Sequence, residues 1–331
     1  MATITLAEIN NLRKKTQAGL MDCKKALTEA EGDMDAAIEI LRKKGQLIAA
    51  KRSDREAAEG CVLAKVDGNF AAMIALKCET DFVAKNADFV GLATKILDAA
   101  VANKCKTLDE VKALSIDGRA IPDLVTERSG VTGEKMELDG YNTVEGNFVA
   151  VYNHMNQNFL CTLIAMNKPC DEDVAKNVAM QAAAMAPIAL NEASVPQSVK
   201  DTEMAANIEK AKQNQIGKAV EVALKKAGIN PAHVDSDDHI ESNMAKGWIT
   251  AEDAAKAREI KVKVAEEKAA NLPEQMIQNI ANGMLAKFYK ESCLLEQAYI
   301  DDNKVSVAQY LQSVDKDLTV TDFKRFTLRA E

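Results

Sequence analysis

At 331 residues the chain has room for two or three domains and more than one hydrophobic core. Charged residues make up 28% and hydrophobic residues 47%, which excludes a disordered chain and describes a soluble globular one. The net charge of −8 argues against a dominant nucleic-acid-binding role, because phosphate binding needs a basic footprint. Aromatics are only 4% and alanine is abundant, a composition suited to helices that pack through small side chains. The seven cysteines (Cys23, Cys61, Cys78, Cys105, Cys161, Cys170 and Cys293) are dispersed, with no CxxC pair. They read as small hydrophobes in a reducing compartment, not as a disulfide or zinc framework. With no signal peptide and no bilayer-length apolar run, the expected location is the cytoplasm, away from any membrane.

Residues 1–50 read as a three-helix unit. Thr5-Leu-Ala-Glu8 has the capping-box pattern, with Ile4 and Ile9 as a hydrophobic staple. A turn at Thr16-Gln-Ala-Gly19 precedes a second helix, Gly32 is placed to end it, and Asp33 to start a third that stops near Gly45. Such units are usually binding modules, an analogy only. Leu20-Met21 admits two readings: an ordinary helix start beside Asp22, or an exposed apolar knob for a partner.

Residues 51–59 are a charged linker or helical arm. Cys61–Val66 and Phe70–Cys78 then read as strands around an Asp67-Gly68-Asn69 turn. A helix carrying Phe89, Leu92, Ile96 and Ala100 on one face follows. Glu134–Leu138 alternates like a strand. Phe148–Tyr152 and Phe159–Met166 form a second hairpin around residues 153–158, and a helix from Asp173 aligns Val174, Val178, Ala182 and Met185. Residues 60–140 and 141–195 thus give two antiparallel core subdomains with helices on a face, an α+β fold class.

After Pro196 comes a helical tract to residue 272. Two arms flanking a polar insert at Asp235–Gly247 read as a coiled-coil-like hairpin projecting from the body. This hairpin is also a candidate surface for a homodimer. Residues 273–331 return to the core through a helix, a strand at Leu295–Ile300, a short helix at Val305–Leu311 and a strand at Phe323–Leu328, forming a small C-terminal module.

The stretch Cys78-Glu79-Thr80-Asp81-Phe82-Val83-Ala84-Lys85 joins an apolar strand to a helix. Thr80 or Asp81 can cap the helix. Phe82 is a small core aromatic or an outward wedge beside a carboxylate. Catalytic motifs are lacking: there is no Walker A sequence, Rossmann glycine fingerprint or HExxH. His154, His233 and His239 are too dispersed for a metal cluster. A Cys78 nucleophile with His154 as base is the remaining enzymatic reading, disfavoured by the strand position of Cys78. His154 sits at a hairpin tip, as a solvated loop residue or a contact. The expectation is a non-enzyme without metal or cofactor.

Two long motifs, Leu12–Leu27 and Cys78–Lys85, resemble the two signatures of the bacterial translation elongation factor Ts family. The resemblance continues through Tyr152-Asn153-His154, Ala182–Pro187 and Gly283–Phe288 to the chain end. Ala75 and Lys77 depart from it: an acidic residue and a smaller one are usual there. Residues 212–270 are longer than the common form. The resemblance implies a UBA-like N-terminal unit and guanine nucleotide exchange on elongation factor Tu, a GTPase. It implies that Thr80, Asp81, Phe82 and Val83 dislocate the GTPase magnesium, with Phe82 as wedge and Asp81 beside the switch region. It assigns Leu20 and Met21 to N-terminal contacts with Tu, and His154 to one of its β-barrel domains. A tethering adaptor without exchange activity is the alternative.

Overall fold

In the computed structural model, residues 4–16 and 18–329 are described. Gln17, in the turn expected at 16–19, lies outside the described residues. The chain forms two units: Met1–Leu190 with Ala298–Glu331, and Asn191–Gln297. The architecture is α+β.

In the first unit, α1 (Leu6–Thr16) opens on a reciprocal cap. The Glu8 N–H donates to Thr5 Oγ1 at 3.3 Å, and the Thr5 N–H to Glu8 Oε2 at 2.7 Å. Helix α2 (Leu20–Glu29) ends at Gly32, whose left-handed φ of 91° lets its N–H reach Leu27 O. Asp33 caps α3 (Met34–Lys51) by accepting the Asp35 and Ala36 N–H groups, each at 2.9 Å. Leu12, Cys23, Leu27 and Ala37 are the centre of this three-helix core.

Strands β1 (Glu59–Asp67) and β2 (Phe70–Cys78) pair antiparallel across a turn at Gly68. Thr80 caps the single turn α4 (Asp81–Ala84). The longer helix α5 (Ala87–Ala102) has its own cap, Asn86, so the expected capping of that helix by Thr80 or Asp81 is one turn out. Helix α6 (Leu108–Lys112), the short pair β3 (Ser115–Ile116) and β4 (Arg119–Ala120), and α7 (Ile121–Thr132) follow. Strand β5 (Glu137–Glu145) returns to pair with β2. It starts later than the strand expected at 134–138, because residues 134 and 135 are drawn into bonds with the loop after β2.

The second sheet is β6 (Phe148–Asn153), β7 (Leu160–Met166) and the C-terminal β8 (Val320–Thr327). Alternation along β2 explains its continuous apolar run. Phe70, Ala72, Ile74 and Leu76 face the core beneath α5, while Ala71, Met73 and Ala75 face the second sheet. Helix α8 (Glu172–Met185) covers the second sheet, and its Ala179 carbonyl accepts the buried Thr162 hydroxyl at 2.8 Å. Its buried face is Ala175, Val178, Ala179 and Ala182. Met185, expected in that row, is 46% exposed at the helix end.

Between the sheets space is tight. A Cβ on Gly140 would lie 2.8 Å from Ala75 Cβ and 2.5 Å from the Phe326 ring. Ala75 therefore fits where a long acidic side chain would not, and Lys77 is paired with Asp139 at 2.5 Å.

The second unit consists of α9 (Gln197–Lys226), α10 (Asp237–Ala245), α11 (Ala251–Ala270) and α12 (Glu274–Ser292), with α11 and α12 each packed on α9. The insert at 235–247 is not wholly solvated: its Ile240 joins a small core with residues on either side of it. Ile229, Val234 and Ile240 are buried against Leu224, Ala254 and Ala257. Helix α12 packs with these helices, so the return to the first unit comes after residue 297 and not at 273. The strand expected at 295–300 is reduced to a single bridge between Ala298 and Ser306. A Ser306–Gln309 capping box then opens α13 (Val307–Val314). Among the described residues no helix is long and apolar enough to cross a membrane.

Helix α3 runs through Gly45, where the sequence suggests an end, because α7 crosses it there. A Cβ on Gly130 would sit 2.3 Å from Gly45 Cα. Gly130→Ala is expected to destabilise the first unit by about 1–3 kcal/mol through overpacking. Gly217→Ala, in α9 with open space around it, is expected to add roughly 0.5–1 kcal/mol. Thermal and urea denaturation of the two variants check both signs.

Candidate partner-binding surface

The candidate turn follows directly from β2, whose burial fixes where residue 79 begins. Glu79 points inward: Arg52 donates to its Oε1 at 3.1 Å, Arg55 to its Oε2 at 2.9 Å, and the Lys135 N–H to its Oε1 at 2.6 Å. The linker at 51–59 is thus tied down by its own arginines. Burial works against ionisation of Glu79. The Lys135 N–H bond and the bonds from Arg55 and Arg52 outweigh it and hold the carboxyl below its ordinary value.

Thr80 has two roles. Its Oγ1 accepts the Val83 N–H at 3.4 Å and donates to Glu134 Oε1 at 2.6 Å. Glu134 Oε2 accepts both the Glu79 and the Thr80 N–H, each at 3.1 Å. Val83 and Ala84 pack back onto the α5 core. Phe82 is left outside, 83% exposed, while Phe89 at the start of α5 is fully buried. Of the two readings of Phe82, the structure removes the core aromatic. Asp81 pairs with Lys85 at 2.6 Å. That bond, more than the small opposing effect of desolvation, lowers its carboxyl pKa, so it is ionised at neutral pH.

His154 stands in the β6–β7 loop and is half-buried. Its Nδ1 lies 3.3 Å from the Tyr152 hydroxyl, and its ring meets Tyr152 and Phe159 edge-on at 5.9 and 5.8 Å. The Arg329 guanidinium sits 3.6 Å from the centre of the Phe159 ring, bracing the loop from the C-terminal side. The next residue, Met155, has a left-handed φ of 51° and is 69% exposed. Sequence reading passed it over. A methionine inside an asparagine-rich tip, where αL backbone is common, was the available signal.

Asp81, Ala84 and Lys85 form one wall of a cleft of about 1230 Å³, with Asn156, Phe159 and Arg329 on another. The structure therefore brings the Asp81 turn and the His154 loop to one surface. Leu20 and Met21 lie elsewhere, exposed at the first turn of α2, where Asp22 pairs with Lys44.

The Cys78 thiol donates to Thr80 O at 3.2 Å, and burial foremost, with the nearby Glu134 charge, pushes its pKa up to about 12. A thiol so shifted is not a thiolate near neutral pH, which counts against the nucleophile reading, and among the described residues no imidazole hydrogen-bonds to it. Nor do any three His, Cys, Asp or Glu side chains there converge to hold a metal ion.

Residues 79–225 and 205–330 match the sequence profile of the family described as Elongation factor TS. Proteins named Elongation factor Ts from Phocaeicola vulgatus and Bacteroides thetaiotaomicron are each 66% identical over 328 residues, covering 99% of both chains. One from Porphyromonas gingivalis is 41% identical over 331 residues, again covering 99% of both. The chain belongs to the elongation factor Ts family. Both motifs that resemble the Ts family lie on the surfaces just described, one at the Phe82 turn and one at α2.

Two outcomes follow from the titrations. Glu79 has a folded pKa depressed below its unfolded value, so its contribution to stability is full above about pH 4.5 and is lost as pH falls through the folded value. Urea midpoints measured as pH is lowered through this range are expected to fall less steeply in Glu79→Gln. At about pH 8, Cys61, Cys78 and Cys161, all pushed up to about 12 by burial, are expected to resist iodoacetamide in the folded protein and to react once it is unfolded. Peptide mass mapping reads this directly.

Proposed function

We propose that this chain is a guanine nucleotide exchange factor for elongation factor Tu, acting as a cytoplasmic binding protein and not as an enzyme. The observation that carries the reading is Phe82: a nearly fully exposed ring on a turn with satisfied hydrogen bonds, inside the motif that resembles the Ts family signature. Bound GDP is held by Mg²⁺ and by backbone N–H groups of a phosphate loop. A ring driven between helices of the GTPase shifts that loop and disturbs the metal's coordination. Asp81 brings an ionised carboxylate to the same place. Its tie to Lys85 is an exposed pair of the weak kind, easily exchanged for a new partner.

The factor must bind nucleotide-free Tu more tightly than Tu·GDP, or no equilibrium shifts. A ten-thousandfold acceleration of release requires about 5.5 kcal/mol of transition-state stabilisation. Burying one aromatic side chain supplies roughly 1.5–3 kcal/mol. Phe82 therefore works together with other contacts. Leu20 and Met21 on α2, and His154 with Met155 on the β6–β7 loop, are exposed or half-exposed in positions to provide them.

Phe82→Ala is expected to slow factor-stimulated GDP release roughly ten- to hundredfold, the loss of one buried ring, while leaving the melting temperature unchanged. Stopped-flow release of a fluorescent GDP from Tu checks it. An alanine variant as fast as the native factor refutes the wedge. Native factor that binds Tu without changing the GDP off-rate would mark a tether instead.

A further inference from the structure

We propose that Glu134 is a positioning residue for the Phe82 turn, and this rests on the exchange reading above. Phe82 is 83% exposed, so its direction is inherited from the backbone of residues 79–83 and not from packing of the ring. That backbone is held from outside. Glu134 takes the Glu79 and Thr80 N–H groups on Oε2 and the Thr80 hydroxyl on Oε1. The hydroxyl is the one that caps Val83, so Glu134 fixes which way its lone pair points. Glu79 returns the favour by accepting the Lys135 N–H. Each loop thus satisfies the main chain of the other.

Glu134 is itself placed by local structure. Gly133, at φ 74°, ends α7 and turns the chain. Thr132 Oγ1 accepts the Glu134 N–H at 3.2 Å, and the Ser129 hydroxyl donates to the Glu134 carbonyl. Removing the carboxylate strands two partly buried N–H groups and frees the Thr80 rotor. The turn would then have to be ordered during association, which weakens binding without removing any contact with the partner.

The test compares native protein, Glu134→Ala and Glu134→Gln by amide hydrogen exchange across residues 79–83 and by stopped-flow GDP release over a range of factor concentrations. Glu134→Ala is expected to raise exchange at the Glu79 and Thr80 amides about tenfold or more. The factor concentration for half-maximal release rises by a similar factor, with a smaller fall in the maximal rate. Glutamine keeps a carbonyl that can accept both N–H groups, so Glu134→Gln is expected to restore both readouts to within about threefold. If the alanine variant does not fold, Glu134→Asp, which draws the carboxylate back by one methylene and leaves the Thr80 cap on Val83 in place, is expected to move both readouts in the same direction.

Native amide protection in Glu134→Ala overturns the proposal. So does lost protection with native release kinetics. If the native protein itself fails to accelerate release, the exchange reading falls, and amide protection alone decides whether Glu134 holds the turn.

Discussion

Two carboxylates exchanged between neighbouring loops govern the functional end of this fold. Glu79, at the end of β2, and Glu134, just past α7, each accept N–H groups from the other's segment. A partly buried carboxylate is costly unless its charge and lone pairs are matched. For Glu79 the match is completed by Arg52 and Arg55, which leave the end of α3. Three distant parts of the sequence therefore share one electrostatic site: the exit of the three-helix unit, the loop after β2 and the loop after α7. The Gly45–Gly130 crossing is what makes this reachable. It lets α3 and α7 approach backbone to backbone, so that their ends deliver Arg52 and Glu134 to the same place.

The rigidity of that site rests on the sheets behind it. Strand β2 is the central strand of its sheet, bonded on both sides, and is buried on both faces. One face of it meets the second sheet through Ala71, Met73 and Ala75, and Gly140 opposite has no room for even a methyl group. Packing this close leaves few alternative arrangements, since interiors at this density resist small displacements. The C-terminal strand β8 closes the second sheet, and its continuation carries Arg329 onto Phe159 beside His154. Arg329, just past β8, and the β6–β7 loop are thus one mechanical piece.

Local signals were legible in the sequence where they were complete within a few residues. The Thr5–Glu8 box, the Gly32 stop, the Asp33 start and the Gly68 hairpin are all decided by neighbours in the chain. What was not legible depended on residues far away. Gly45 looked like a helix end because glycine usually is one, but here it is a contact point for α7. Glu134 read as the first residue of a strand because its bonds go to residues 79 and 80, which no window around 134 contains. The third strand of the second sheet comes from residues 320–327, so the two halves look alike in pattern but are completed differently. Residues 235–247 read as a polar insert because one buried apolar side chain within it, Ile240, joins Ile229 and Val234 just before it to close a small core. The exposure of Phe82 was the open question at the signature turn. Residue type favours burial, and only the inward packing of Val83 and Ala84 decides otherwise.

The places where this chain breaks the ordinary rule of apolar side chains inside are also places where its backbone is well satisfied. Phe82 stands two residues beyond the capping threonine, Thr80, and Met155 lies in a loop whose asparagines, Asn153 and Asn158, bond each other across the turn. In a poorly held loop, an exposed ring or thioether folds back onto the nearest apolar surface. Here the hydrogen bonds of the turn forbid that collapse, so the apolar group stays in water at a standing hydrophobic cost. Such a conflict between local preference and final placement is expected at sites of function and not in the scaffold. The cost is recovered only when another molecule covers the group, and a turn already locked in shape spends none of that gain on becoming ordered.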